Sequence, residues 1–162
     1  MAPRPELRWG RMYTSILLIH SWLRWAVLLA GLIAIVRALT RAGRPWTPTD
    51  DRAGSWFVIT LDAQIVLGAL LYFALSPITR LALEDFGAAM GTSAIRFWAV
   101  EHVFGMIVGV TLAHIGRVRI RKAATDAKRH RLAAIFFGLA LLAILAAIPW
   151  PGLPNARPLF RW

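Results

Sequence analysis

Residues 93–117 read SAIRFWAVEHVFGMIVGVTLAHIGR, and this stretch decides the fold. It is apolar over most of its length and exceeds the ~20 residues that cross a bilayer as a helix. Three further stretches of the same kind, at roughly 13–39, 56–76 and 132–149, repeat the pattern. The four together predict an all-α, integral membrane four-helix bundle of up-down topology. They occupy more than half of a 162-residue chain that is 58% hydrophobic. The remainder is too short to bury a core of its own, so residues 1–162 read as one membrane domain.

Two classes of chemistry fall away on composition. The chain has no cysteine, which removes disulfides, thiolate metal sites, iron–sulfur clusters and covalently attached haem. No glycine-rich phosphate loop, nucleophile elbow or HExxH motif occurs. The first span is too long for the apolar core of a signal peptide, and no small-x-small site follows it, so it is expected to stay in the mature protein.

The net charge of +11 would suggest nucleic acid in a soluble protein. Its distribution points to membrane topology instead. Arg117, Arg119, Arg121, Lys122, Lys128, Arg129 and Arg131 crowd one loop, and Arg37, Arg41, Arg44 and Arg52 another. Eleven basic residues thus lie on one side against seven on the other. The positive-inside rule puts both loops in the cytoplasm and both termini on the periplasmic side of a bacterial inner membrane. Anionic lipid headgroups, not nucleic acid, are the expected partners of this charge.

Punctuation between the spans is clear. Pro45 and Pro48 break the chain after span one, with Thr49 or Asp50 as the expected cap before Trp56. Ser76-Pro77 ends span two, and residues 78–92 read as the longest loop. Thr92 or Ser93 caps span three, and Pro149-Trp150-Pro151 closes span four. Leu7, Trp9 and Met12 alternate with Arg8 and Arg11, which makes 1–12 an interfacial tail. The proline-rich segment 150–162 is a second. Trp9, Tyr13, Trp46, Trp56, Trp98 and Trp150 form the expected aromatic belt.

Polar groups inside a span need a reason, because lipid offers them no partner. His20, Arg24, Asp62, Glu101, His102 and His114 are those groups. His20 and His102 lie at nearly the same depth on helices running in the same direction. Arg24 is one turn deeper than His20 on the same face, at a depth that suits an ion pair with Glu101. On span three, His102, Gly105, Gly109, Ala113 and Gly116 form one stripe. On span one, His20, Arg24, Val27, Gly31, Ala34 and Ala38 form another. Small residues in such stripes let backbones approach closely. They also leave room for a flat macrocycle held by a histidine at one end, with an arginine for its propionates. Met106 lies one turn from His102, on the same side of any metal. A zinc site would need a third ligand, and Glu101 projects about 100° away from His102. His114 and His130 form a weaker second pair. Asp62 is a proton relay, a partner for His114, or a plain helix–helix hydrogen bond.

These motifs resemble a family. Small bacterial four-span proteins labelled b-type cytochromes carry a first helix like His20-Ser21-Trp22-Leu23-Arg24-Trp25. Their third helix is like Arg96-Phe97-Trp98-Ala99-Val100-Glu101-His102, followed by Ile115-Gly116-Arg117, and their last ends like Ile148-Pro149-Trp150-Pro151. The diheme cytochrome b561 group is more distantly similar, and the offset inner histidines depart from its second haem site. The resemblance implies His20 and His102 as ligands of haem b and Arg24 as a propionate partner. Two functions follow as expectations. One is electron transfer between spans one and three, with a quinone as a possible partner. The other is a non-catalytic accessory subunit of a larger respiratory or photosynthetic complex, in which the polar groups are internal glue. A transporter fits less well, since no helix is broken at mid-membrane.

Overall fold

The computed structural model describes residues 5–153 and 155–161, with side chains from Arg8 onward. Four helices are long and apolar enough to cross a membrane: α1 (Pro5–Thr40), α2 (Pro48–Leu75), α5 (Ser93–Arg121) and α6 (Asp126–Ala147). Two short helices, α3 (Pro77–Glu84) and α4 (Phe86–Gly91), lie between α2 and α5. The chain is a multi-pass membrane protein with no strand among its described residues. α1 packs against α2 and α6, and α5 against α2 and α6. The cyclic order is therefore α1–α2–α5–α6, which places α1 diagonally opposite α5.

Local chemistry fixes the helix ends. Thr47, not Thr49 or Asp50, caps α2: its side chain accepts from the Asp50 amide, Asp50 answers to the Thr47 amide, and Pro48 fills the first turn. The sequence cue was the Thr-x-x-Asp spacing. Ser76 then closes α2 and caps α3, where Pro77 again sits at the first position. The region expected as one long loop, 78–92, forms α3 and α4, with the Asp85 side chain accepting from the Ala88 amide at 2.9 Å. At the other end α1 already begins at Pro5, so much of the expected interfacial tail 1–12 is the first turns of a long helix. Residues 1–4 of that tail, the Leu7 side chain, and Trp162 of the second tail lie outside the described residues.

Asp50 and Asp51 set the bundle corner. Consecutive helical residues project about 100° apart, so one reaches α1 and the other α5. Arg37 donates to Asp50 from Nε at 3.0 Å and from Nη2 at 2.7 Å. Arg117 donates to both oxygens of Asp51 at 2.7 Å and to Ser55 at 2.6 Å. A forked guanidinium–carboxylate pair fixes direction as well as contact.

The half of the bundle next to these ion pairs is solid. Phe57 of α2 and Phe137 of α6 meet edge-on at 5.4 Å between ring centroids, among buried Leu61, Ala113, Ile120 and Ala140. Gly31 admits Phe57: a Cβ there would lie 2.8 Å from the Phe57 ring. The α5 stripe admits α6. A Cβ at Gly105 would lie 2.5 Å from Ala147 Cβ, and one at Gly109 would lie 2.7 Å from the Ile144 side chain. Gly116 is closed in the same way by Phe136. The room expected along these glycines for a cofactor is therefore filled by a neighbouring helix. Gly31, Gly105 and Gly109 serve close packing, as small residues do where lipid supplies no hydrophobic drive between helices.

Candidate functional site

The opposite half of the bundle is hollow. A cavity of about 340 Å³ lies between the four helices, and both His20 and His102 line it. They arrive from the diagonal helices α1 and α5, so they face each other across the bundle. Gly68 of α2, unremarked in the sequence, makes the space on the His20 side: a Cβ there would lie 3.3 Å from the imidazole Cε1.

The two imidazoles are held differently: His102 keeps one nitrogen to spare, whereas His20 Nε2 accepts from the Gln64 amide nitrogen, which puts the His20 proton on Nδ1. His102 Nδ1 lies 2.8 Å from the Ala147 carbonyl oxygen. A carbonyl only accepts, so Nδ1 carries the proton and Nε2 keeps its lone pair. No protein atom among the described residues hydrogen-bonds that Nε2. Gln64 Nε2 donates to the His20 carbonyl at 3.0 Å and lies 3.3 Å from His20 Nε2. The buried His20 Nδ1 and Gln64 Oε1 have no partner among the described residues. Buried polar atoms rarely go unpaired; both residues line the cavity, while these two atoms are themselves shut off from it, His20 Nδ1 against Gly68 of α2.

Two π-helical turns frame the cavity, at Leu71–Leu75 in α2 and Phe97–Glu101 in α5. Each shifts backbone carbonyls out of the helical ladder, and side chains take them up. Tyr72 Oη donates to the Ala99 carbonyl at 2.9 Å, and Thr79 Oγ1 to the Tyr72 carbonyl at 2.7 Å. Tyr72 and Trp98 thereby reach the cavity. Such turns are frequent at functional sites, and no sequence signal announced them.

The segment after α6 folds back over the mouth. Arg24 Nη2 donates to the Leu159 carbonyl at 2.6 Å, and Trp22 Nε1 to the Arg161 carbonyl at 3.0 Å. Phe160 stacks on Trp25 at 5.3 Å. The Arg157 guanidinium sits 5.0 Å over the Trp98 ring. Arg24, Arg157 and Arg161 all line the cavity, and no carboxylate pairs with any of them among the described residues. The expected interfacial tail and Trp98 of the expected aromatic belt thus both lie over the site.

The remaining expectations divide. Glu101 does not reach Arg24: it pairs with Arg96 at 2.7 Å on the exposed side, because the π turn carries it away from the interior. Asp62 and His114 do meet, at 2.7 Å. His114 and His130 do not form a site together. His130 is 1% exposed, with neither ring nitrogen hydrogen-bonded among the described residues, and packs against Trp46 at 4.9 Å. No three His, Asp or Glu side chains converge as a metal site among the described residues. No known protein family, curated protein or solved structure matches this chain.

Proposed function

We infer that this protein is a membrane electron carrier that holds one b-type haem in the cavity between His20 and His102. The observation that carries the reading is the pair of histidines lining one apolar cavity from diagonal helices, with His102 Nε2 unused by any protein atom among the described residues. Bound there, haem would supply reversible one-electron transfer.

The chain's own residues have separable tasks. His20 and His102 would hold the haem iron. The Ala147 carbonyl fixes the tautomer of His102 and makes Nε2 a better donor, as second-shell acceptors do. Gln64 orients His20 through its backbone carbonyl and ring. Arg24, Arg157 and Arg161, which pair with no carboxylate among the described residues, would supply counter-charge to its two propionates. The folded-back tail and the Trp98–Arg157 stack would shield a bound haem from water and so lower the local dielectric. With both basic loops cytoplasmic, the cavity faces the periplasmic half of a bacterial inner membrane, and a membrane quinone is the natural electron donor.

The test is the absorption spectrum of the protein purified in mild detergent, oxidised and then reduced with dithionite. A reduced b-type spectrum is expected. Colourless protein co-migrating with other subunits would instead establish the accessory role in a respiratory or photosynthetic complex.

A further inference from the structure

The Asp62–His114 pair faces the wrong way for the cavity. Its side chains are 48% and 51% exposed on the outer surface of the bundle. Two rulers give its depth. Asp62 lies six residues beyond Trp56, which is 62% exposed where span two begins, and His114 lies three residues before Arg117, where span three ends. At 1.5 Å per residue these place the pair about 5–9 Å inside the hydrocarbon region. Its neighbours on the same surface are apolar: Ile59 is 55% exposed, Val66 66%, Ile107 53% and Val118 51%. A carboxyl and an imidazole at this depth do not face lipid tails; such groups turn to protein or water. Arg117, the nearest cation on α5, is already committed to Asp51 and Ser55.

The pair defines what covers it. His114 Nε2 and Asp62 Oδ1 share one hydrogen bond, leaving Nδ1 and Oδ2 without a partner among the described residues. In the net-neutral pair that a low dielectric favours, one proton lies between Oδ1 and Nε2 and another on Nδ1. The outward surface then offers one donor beside one acceptor. That pattern is its own complement about a two-fold axis: Nδ1–H of each copy meets Oδ2 of the other. An isologous contact requires such self-complementarity, and interhelical hydrogen bonds of this kind hold membrane helices together.

We propose that the α2–α5 face carrying Asp62 and His114 is a homodimer interface, occupied by a second copy of this chain. The claim is independent of any cofactor in the cavity.

Because the chain has no cysteine, single-cysteine variants report on contacts without background. Oxidative cross-linking would be run in native membranes on I59C, V66C, T111C and V118C, with L29C and L142C as controls on other lipid-facing surfaces. A covalent dimer of twice the monomer mass from one or more face positions, and from neither control, is expected. Adding D62L/H114L should lower the cross-linked fraction about tenfold or more, while the exchange D62H/H114D, which keeps one donor and one acceptor, should restore it. Absence of dimer at all four face positions overturns the proposal, as does equal dimer at the controls or a cross-link to a different protein. The single-cysteine positions decide the matter even if the double leucine variant fails to accumulate.

Discussion

Replacing Gly105 with alanine sets a methyl group 2.5 Å from Ala147 Cβ. Carbon atoms pack at about 3.5–4.0 Å, so α5 and α6 must part by about 1 Å. Ala147 Cβ is bound to the backbone and has no rotamer to escape into. Overpacking of this kind costs about 1–3 kcal/mol. Alanine returns about 0.5–1 kcal/mol through helix propensity, which leaves a net loss of up to about 2.5 kcal/mol, centred on about 1 kcal/mol. The same displacement stretches the 2.8 Å contact between His102 Nδ1 and the Ala147 carbonyl to about 3.8 Å, where no hydrogen bond remains. Loss of a second-shell partner lowers metal-site affinity about 10–100-fold, so haem retention should fall with stability. Gly138→Ala is the internal control, because nothing lies within 4 Å of a Cβ there; it should be neutral or stabilise by up to about 1 kcal/mol. The assay is reversible unfolding in mixed micelles followed by far-UV circular dichroism, with haem titrated in parallel. Equal stability of the two variants would refute the packing argument, and unaltered haem affinity in Gly105→Ala would refute the role given to Ala147.

Asp51→Ala should destabilise by about 2 kcal/mol, since Arg117 is 6% exposed and would stay behind as an unpaired charge, softened by the partial exposure of Asp51. Arg117→Met should cost less in the same unfolding assay, because it leaves only an exposed carboxylate. Phe137→Ala, which empties the Phe57 contact, should cost about 3 kcal/mol without changing the absorption spectrum. Arg24→Met removes the donor to Leu159 and should free the tail, read as faster proteolysis within residues 155–161 and faster re-oxidation of the reduced protein.

The bundle was legible because span length and apolarity are properties of contiguous sequence. The basic loops likewise carried their own message. The histidine pair could be read because depth along a helix is a count of residues. What the sequence left unread depends on neighbours. The glycine stripe of α5 announced close approach but not whether α6 or a cofactor would fill it. Glu101 matched Arg24 in depth, yet a π turn, which no residue pattern signals, rotated it onto Arg96. Gln64, Gly68 and Ala147 gained their roles only when α2 and α6 were laid beside the two histidines. The tail from Arg157 to Arg161 has no periodicity, so its return over Trp22, Arg24 and Trp25 had no local cue.

The most direct measurement of the central claim is the dithionite-reduced absorption spectrum of the purified protein beside those of His20→Ala, His102→Ala and His130→Ala. The account predicts a b-type spectrum in the unaltered chain and in His130→Ala, and its loss or conversion in both cavity variants. A spectrum that survives in His20→Ala and His102→Ala, or protein that is colourless throughout, would contradict it.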